Sequence, residues 1–586
     1  MTPLAPDPDL IRVGNCSGFY GDRISAMREM LEGGELDVLT GDYLAELTML
    51  ILGRDRMKHP ELGYAKTFVR QLEDCLGLAL DKGVRIVANA GGINPAGLAE
   101  RLRELARGLG LTATVAHVEG DDLTSRAAEL GLGEPLTANA YLGAWGIVEA
   151  LGSGADVVVT GRVTDASVIV GPAAAHFGWG RTDYDALAGA VVAGHVIECG
   201  TQATGGNFSF FREIADLSRP GLPIAEIRRD GSSVITKHPG TAGAVTVDTV
   251  TAQLMYEIQT ARYANPDVTA RLDTVELAQD GPDRVALTGV QGEPPPPDLK
   301  VSLNTLGGFR NAMTFVLTGL DIEAKAELTR RQLEAWLPVR PAELTWDLAR
   351  VDRPDAPTQQ QASALLTCTV RDEDPDKAGR AFSNVAVELA LAGYPGATLT
   401  SMPGAAAPYG VFEAGYVDRR DVPHVAVLPD GARVQITSAA ETRELEPVPD
   451  PALPEAGSGD DGDPGPTRRL PLGAVAAARS GDKGGNANIG VWVRTDAQWR
   501  WLSHALTVDE LRRMLPETEG LTITRTLLPN LRAVNFVIEG LLGQGVAYNA
   551  RFDPQAKGLA EWLRSRRIDM PAAIADTGID VEESAL

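Results

Sequence analysis

Aromatic side chains are scarce in this 586-residue chain, with Phe, Trp and Tyr making up 5% of it, so stacking platforms for bases are not expected. Basic residues are outnumbered by acidic ones, 54 to 79, and the resulting formal charge of −25 repels phosphate backbones. Nucleic acid is therefore not an expected partner. There are only four cysteines, Cys16, Cys75, Cys199 and Cys368, far apart and without a CxxC pair. That spacing excludes a zinc ribbon or a disulfide framework and suits a reducing cytoplasm. No uncharged apolar run approaches the ~20 residues of a membrane span. The opening MTPLAPDPDL lacks the basic and apolar regions of a signal peptide. The expectation is a cytoplasmic protein with no membrane partner.

What the chain has instead is glycine, 63 residues against 37 prolines, in a composition that is 44% hydrophobic and long enough for several domains. From about 11 to 200, short apolar runs alternate with amphipathic stretches, as strands joined by crossover helices do in a parallel sheet. Expected strands are Ile11–Val13, Leu36–Leu39, Val84–Ala88, Thr112–His117 and Asp156–Thr160. Residues 230–320 read as β-rich and 322–337 as helical. The fold class is α/β, a large doubly wound and mostly parallel-sheet domain with a strand-rich second part, expected over 8–445. Residues 446–469 are rich in Pro, Gly and Asp with little to bury, the composition of a disordered linker. Residues 470–570 suit a small α+β, ferredoxin-like domain.

In a doubly wound sheet the loops after the strands share the carboxyl edge, where ligands bind. The first, GNCSGFYGD, places Asn15, Ser17 and Gly18 where backbone amides can hold an anion, or simply makes a tight turn with a cap. It contains neither GxGxxG nor GxxxxGK[ST], so it is no nucleotide fingerprint. In TGDYLAEL, Asp42 and Glu46 are spaced i,i+4 beside Tyr43. They could serve as general base or hold Mg²⁺, or cap the following helix and complement its dipole. NAGGINP offers Asn89, Gly91, Gly92 and Asn94 to a carbonyl or carboxylate, with Asn94 also an N-cap before Pro95. GRVTDAS offers Arg162 as a carboxylate or phosphate clamp or as partner to a local acid, with Thr164 and Asp165 as caps or contacts.

Further along, His195, Glu198 and Cys199 share a helix face. They form a weak metal pattern, with His195 alternatively an acid/base group or a hydrogen-bonded structural histidine. The loop after them places Gly205, Gly206 and Asn207 as backbone approaching a ligand. Lys237 and His238 read as a hairpin connection. In the small domain ARSGDKGGNAN carries Arg479, Asp482, Lys483 and Asn486, far more polar specification than a hairpin needs. Lys483 could reach an anionic group in the other domain, fold its own loop or serve an oligomer contact.

These residues give the chain a resemblance. IRVGNCSGFYGDR, LDVLTGDYLAELTM, VANAGGINPAGLAERL, VVTGRVTDASVIVGP, GHVIECGTQATGGNF and ARSGDKGGNANIGVWVR together resemble the acyclic terpene utilisation AtuA family. The resemblance runs from Ile11 to about Arg566 apart from the linker. It implies a large N-terminal domain, a ferredoxin-fold C-terminal domain and a place in catabolism of citronellol- and geraniol-type terpenes through branched acyl-CoA esters.

The resulting expectation is an enzyme that cleaves or hydrates a C–C unit beside the carbonyl of a small acyl-CoA or carboxylate, in a homo-oligomer. Catalytic candidates are Asp42, Glu46, His195 and Lys483, and no cofactor is required unless a divalent metal such as Mg²⁺ joins the carboxylates. Two alternatives stand beside it. One is a non-catalytic scaffold of a larger complex, and the other is a metal-dependent hydrolase or lyase.

Overall fold

The computed structural model describes residues 8–455 and 466–579. Two compact units result: the chain up to Asn304 with Phe412–Val546 and the chain from Asp553 form the first, and Thr305–Val411 with Ala547–Phe552 form the second.

The first unit is built on strands β1 (Leu10–Asn15), β2 (Val38–Gly41), β3 (Arg85–Ala88), β4 (Val115–Glu119), β5 (Thr137–Ala140), β6 (Val157–Thr160), β7 (Pro223–Arg228) and β8 (Ser233–Lys237). Its helices are α1 (Ala26–Gly33), α2 (Glu46–Lys58), α3 (Lys66–Lys82), α4 (Pro95–Gly108), α5 (Trp145–Gly152), α6 (Ser167–Phe177) and α7 (Tyr184–Ile197). The order β1-β2-β3-β6-β4 is parallel throughout. Antiparallel strands extend both edges: β7, β8, Val285–Thr288 and Glu276–Gln279 beyond β1, and Val425–Val427 with Arg433–Gln435 beyond β4. The parallel centre is thus five strands of an eleven-stranded sheet.

Alternation decides which layer each side chain joins. Val158 and Val87 pack with α5, α6 and α7, whereas Val157, Val159, Ile86 and Ala88 pack with α1, α3 and α4. Helices on both faces make the sheet doubly wound and explain why β6 reads VVVT with no polar face. From Leu187 to Ile197 helix α7 is apolar on every side apart from His195, and every residue of that stretch is buried. Gly189 permits this depth, because a Cβ there would stand 2.2 Å from the Gly231 carbonyl. Helix α4 starts as its sequence specifies, with Pro95 at N1 and the Asn94 side chain accepting from Gly97 N at 3.0 Å.

The C-terminal region packs into the same unit. A four-stranded antiparallel sheet runs in the order Ala477–Lys483, Asn486–Trp492, Ala533–Ile538, Ile523–Leu528, with helices Asp496–Ala505, Val508–Met514 and Leu559–Ser565. Residues 456–465 of the expected linker lie outside the described residues. Thr467–Pro471 pairs antiparallel with Arg567–Pro571, a segment whose strand character is invisible locally because its partner lies about a hundred residues away. Trp492, Ala477 and Leu531 continue the core of the large sheet across the seam.

The second unit has its own antiparallel sheet, in which Phe309–Thr318 pairs with Ser363–Asp372 and that strand with Glu343–Ala349. Helices Ile322–Trp336 and Arg380–Ala392 cover it through Leu333, Phe382, Val385 and Leu389. Among the described residues no helix is long and apolar enough to cross a membrane.

Candidate functional site

The carboxyl edge of the parallel strands and the hairpin Ala477–Asn488 of the C-terminal sheet meet around the end of α7. Asn15, the last residue of β1, is fully buried and donates through Nδ2 to the carbonyls of Ile197 (2.8 Å) and Glu198 (2.7 Å). Gly18 lies so close to Cys199 that a Cβ would stand 2.7 Å from its carbonyl carbon, and Ser17 donates to Phe19 O. The first loop is therefore spent on holding the α7 terminus.

Asp42 follows β2 and is buried. Its Oδ1 accepts from Asn89 Nδ2 (2.5 Å) and Leu44 N (3.0 Å), and Asn89 Oδ1 accepts from Tyr43 N (2.7 Å). Tyr43 is buried and donates to Gln71 rather than towards a ligand. The Glu46 side chain lies outside the described residues. Asn94 caps α4 and donates to Glu61 O and Leu62 O. Gly91 allows close approach to the Thr160 carbonyl, and Gly92, at φ 55°, sits against Leu52 and the Gly63 carbonyl. The NAGGINP polar groups thus split, Asn89 going to the cluster and the rest to the turn.

Arg162 is 3% exposed. Its backbone N–H donates to Asp121 Oδ2 (2.8 Å), its Nη1 to Asp165 Oδ1 (2.6 Å), and its guanidinium lies 4.2 Å over the Tyr141 ring. The local acid it pairs with is Asp165, one helical turn on, and its buried Nε has no hydrogen-bond partner. Thr164 is engaged with Ser167 Oγ at 2.6 Å. Burial pushes Asp121 up to about 7, against the opposing hydrogen bonds from Arg162 N–H and Asn139.

The charge of Asp165 reaches both Asp42 and Glu198, and that of Glu257 reaches Glu198. Burial, reinforced by the charge of Asp165, raises both Asp42 and Glu198 well above the usual carboxylate range, and Arg162 opposes only part of this. Both carboxyls therefore hold a proton to higher pH than an exposed acid does. His195 is 1% exposed, its Nδ1 lies 3.3 Å from Glu198 Oε1, and neither ring nitrogen has a hydrogen bond. Burial and the neighbouring Lys483 lower its pKa to about 4, so the ring is neutral. The Tyr263 ring packs against it at a tilt of 44°, with the ring centres 4.7 Å apart. Burial and Glu198 raise the Cys199 thiol far above its ordinary value, which makes it a poor thiolate.

The C-terminal domain enters here. Lys483 Nζ donates to Glu257 O (3.1 Å), and Asn488 Oδ1 accepts from Glu257 N (2.8 Å), so both backbone groups of a residue at φ 56° are held from across the seam. Arg479 donates to Asn207 O (2.9 Å) and Gln202 and lies 4.6 Å from the Tyr256 ring. Asn207 itself is at φ 56°. Gly205 and Gly206 pack against Ile214 and the Thr201 carbonyl. Asn486 accepts from Gly540 N within its own domain. Lys557 donates to the Tyr256 hydroxyl and lies 3.7 Å from Glu257 Oε1 and 3.9 Å from Asp482 Oδ1. A cavity of about 230 Å³ opens beside these cations, lined by Phe208, Ser209, Arg479, Ser480 and Lys557.

Asp42, Asn89, Arg162, Asp165, His195, Arg479, Asp482 and Lys483 therefore meet, whereas Asn94, Thr164 and Asn486 serve their own turns. Glu257, Tyr256, Tyr263 and Lys557 complete the site, and nothing in YEIQTARY or DPQAKGL announces them. Among the described residues no three His, Cys, Asp or Glu side chains converge as a metal would need, so His195, Glu198 and Cys199 do not form a ligand set in this arrangement.

Residues 11–428 match the family described as acyclic terpene utilisation family protein AtuA, and residues 470–569 match the AtuA ferredoxin-like domain. No curated protein and no solved structure matches.

Proposed function

The chain belongs to the acyclic terpene utilisation AtuA family, and from that membership we propose that it is an enzyme performing acid–base chemistry beside the carbonyl of a branched acyl-CoA or carboxylate. The family's role in using acyclic terpenes is catabolic. The finer reading rests on one observation: Glu198, a buried carboxyl of raised pKa within the electrostatic reach of a second one, Asp42, lies 3.3 Å from Nδ1 of a buried, neutral His195. Adding or removing water beside a carbonyl, or cleaving a bond there, needs a proton donor and a proton acceptor within one site. The protonated carboxyl supplies the first and the neutral imidazole the second. Arg162 and Lys483 bring positive charge near an enolate-like oxygen, in a buried setting where such charge acts strongly.

The cavity beside Arg479 and Lys557 is the route by which an anionic or thioester end would enter. At about 230 Å³ it suits the acyl end of an ester rather than its nucleotide. Arg479 is fixed by Asn207 and Gln202, so it presents a pre-oriented positive face.

The test is turnover of a panel of branched acyl-CoA esters and carboxylates by the purified full-length protein. Glu198→Gln and Asp42→Asn are expected to lower kcat by about a hundredfold or more, the range of general acid–base catalysis. Absence of turnover across the panel, or both variants matching the parent, overturns the reading. Turnover that appears only after a partner protein is added supports the scaffold alternative instead.

A further inference from the structure

The second unit holds a cavity of about 320 Å³ between its sheet and the helices Ile322–Trp336 and Arg380–Ala392. Its walls are Phe315, Ala386, Leu389, Ala397, Leu399 and Met402, and no charged side chain lines it. An apolar cavity of ~150 Å³ stays dry and accepts a benzene ring. This one has roughly twice that space, room for a ligand of about ten to twelve non-hydrogen atoms.

The hydroxyls of Thr398 and Ser401 are at exposed residues of the wall, and the buried hydroxyls, those of Tyr394 and Thr329, are already committed. Tyr394 donates to Val316 O (3.0 Å) and Thr398 O (3.2 Å), and Thr329 donates to Lys325 O (2.8 Å). Gln332 is the exception. Its Nε2 donates to Ala392 O at 2.8 Å, which fixes the amide orientation, and its Oε1 is buried without a donor. A buried acceptor left unmade costs about 1–3 kcal/mol. Ala390 and Ser401 line the cavity yet are exposed, and Met402 is 75% exposed, so the space communicates with solvent.

From these observations we infer that the second unit carries its own binding site for a compact, neutral, apolar molecule with a single hydroxyl, which fills the cavity and donates to Gln332 Oε1. Charged ligands are disfavoured, because nothing in the wall would compensate their desolvation. All its residues lie within 305–411, so the site stands or falls independently of the acid–base cluster.

The experiment is a fluorescence titration of the full-length protein with 2-naphthol, and with naphthalene as the probe lacking the hydroxyl. The parent is expected to prefer 2-naphthol by about fivefold, the worth of one net hydrogen bond. Ala390→Trp, at an exposed helix position, closes the mouth and is expected to weaken both probes by about tenfold or more, with Ser401→Trp as a second blocking variant. Gln332→Leu is expected to keep naphthalene binding and lose the preference for the hydroxyl. Thermal melts of each variant confirm that it is folded. No binding to the parent, binding as tight as the parent's in both blocked variants, or a hydroxyl preference that survives Gln332→Leu overturns the inference.

Discussion

Asn15 Nδ2 donates to the carbonyls of both Ile197 and Glu198, joining the end of the first strand to the end of a helix more than 180 residues later. The last carbonyls of a helix have no partner within it, and a buried end needs one from outside. Asn15 supplies it, while its own Oδ1 accepts from Thr40 at 3.2 Å. Glu198 and His195 are thus positioned by a residue on the first strand. Asn15→Ala strands buried carbonyls, and we expect a stability loss of about 2 kcal/mol or more, read as a lower urea midpoint. Asn15→Asp, which lacks the donor, should behave as badly. A midpoint unchanged in both would show that the α7 terminus is held by something else.

His195 gives stability a pH dependence of definite sign. Its folded pKa is lowered to about 4, whereas an unfolded histidine titrates near 6.5. Between those values the unfolded chain binds the extra proton, so the contribution is whole above about 6.5 and is lost as pH falls towards 4. The slope attributable to the residue is at most about 1.4 kcal/mol per pH unit. We expect His195→Gln to lose less stability than the parent between pH 7 and 4.5. Parallel curves would mean that the ring is solvated when folded.

Asp121 acts with the opposite sign. Burial holds its folded pKa at about 7, above the unfolded value near 3.9, so the folded chain keeps a proton that the unfolded one releases. Its contribution is present below about 4 and is lost as pH rises towards 7. An amide can accept the same bonds from Arg162 N–H and Asn139 without carrying charge. Asp121→Asn should therefore gain stability relative to the parent as pH rises through that window, measured by denaturation at pH 5 and pH 8. A constant difference between the two proteins would place the proton elsewhere.

The parallel centre was legible because burial on both faces writes itself locally. VVVT and IVA are continuous apolar runs, and each is followed by a polar loop. Thr137–Ala140 was not, because its pairing with Val301–Asn304 depends on residues far along the chain. The site divides in the same way. Asp42, Arg162, His195 and Lys483 stood out as polar groups in excess of what their turns require. Glu257 and Lys557 did not, because their significance comes from a seam between two domains, and no spacing within either segment encodes it. The clustered glycines were legible as close approaches, but what approaches Gly18, Gly91 and Gly206 is backbone of this same chain.

The seam itself depends on two glycines in the small domain. A Cβ on Gly481 would stand 2.3 Å from Tyr256 Cε2, and one on Gly490 would stand 2.5 Å from Met255 Cβ. Tyr256 cannot yield freely, since its ring carries Arg479 at 4.6 Å and Lys557 at 4.4 Å. Asn488 Nδ2 and Asn535 Nδ2 donate to the carbonyls of Met255 and Gln259, which holds the segment down on both sides. Gly481→Ala should therefore overpack the seam, at a cost of about 1–3 kcal/mol. Proteolysis is expected to follow at lower protease concentration. Gly152→Ala is the control: it lies at the end of α5, a Cβ there meets nothing within 4 Å, and it should be neutral or stabilising by up to about 1 kcal/mol. If Gly481→Ala melts and is cleaved like the control, the two domains are not locked through Tyr256. The acid cluster would then have to be complete without the second domain.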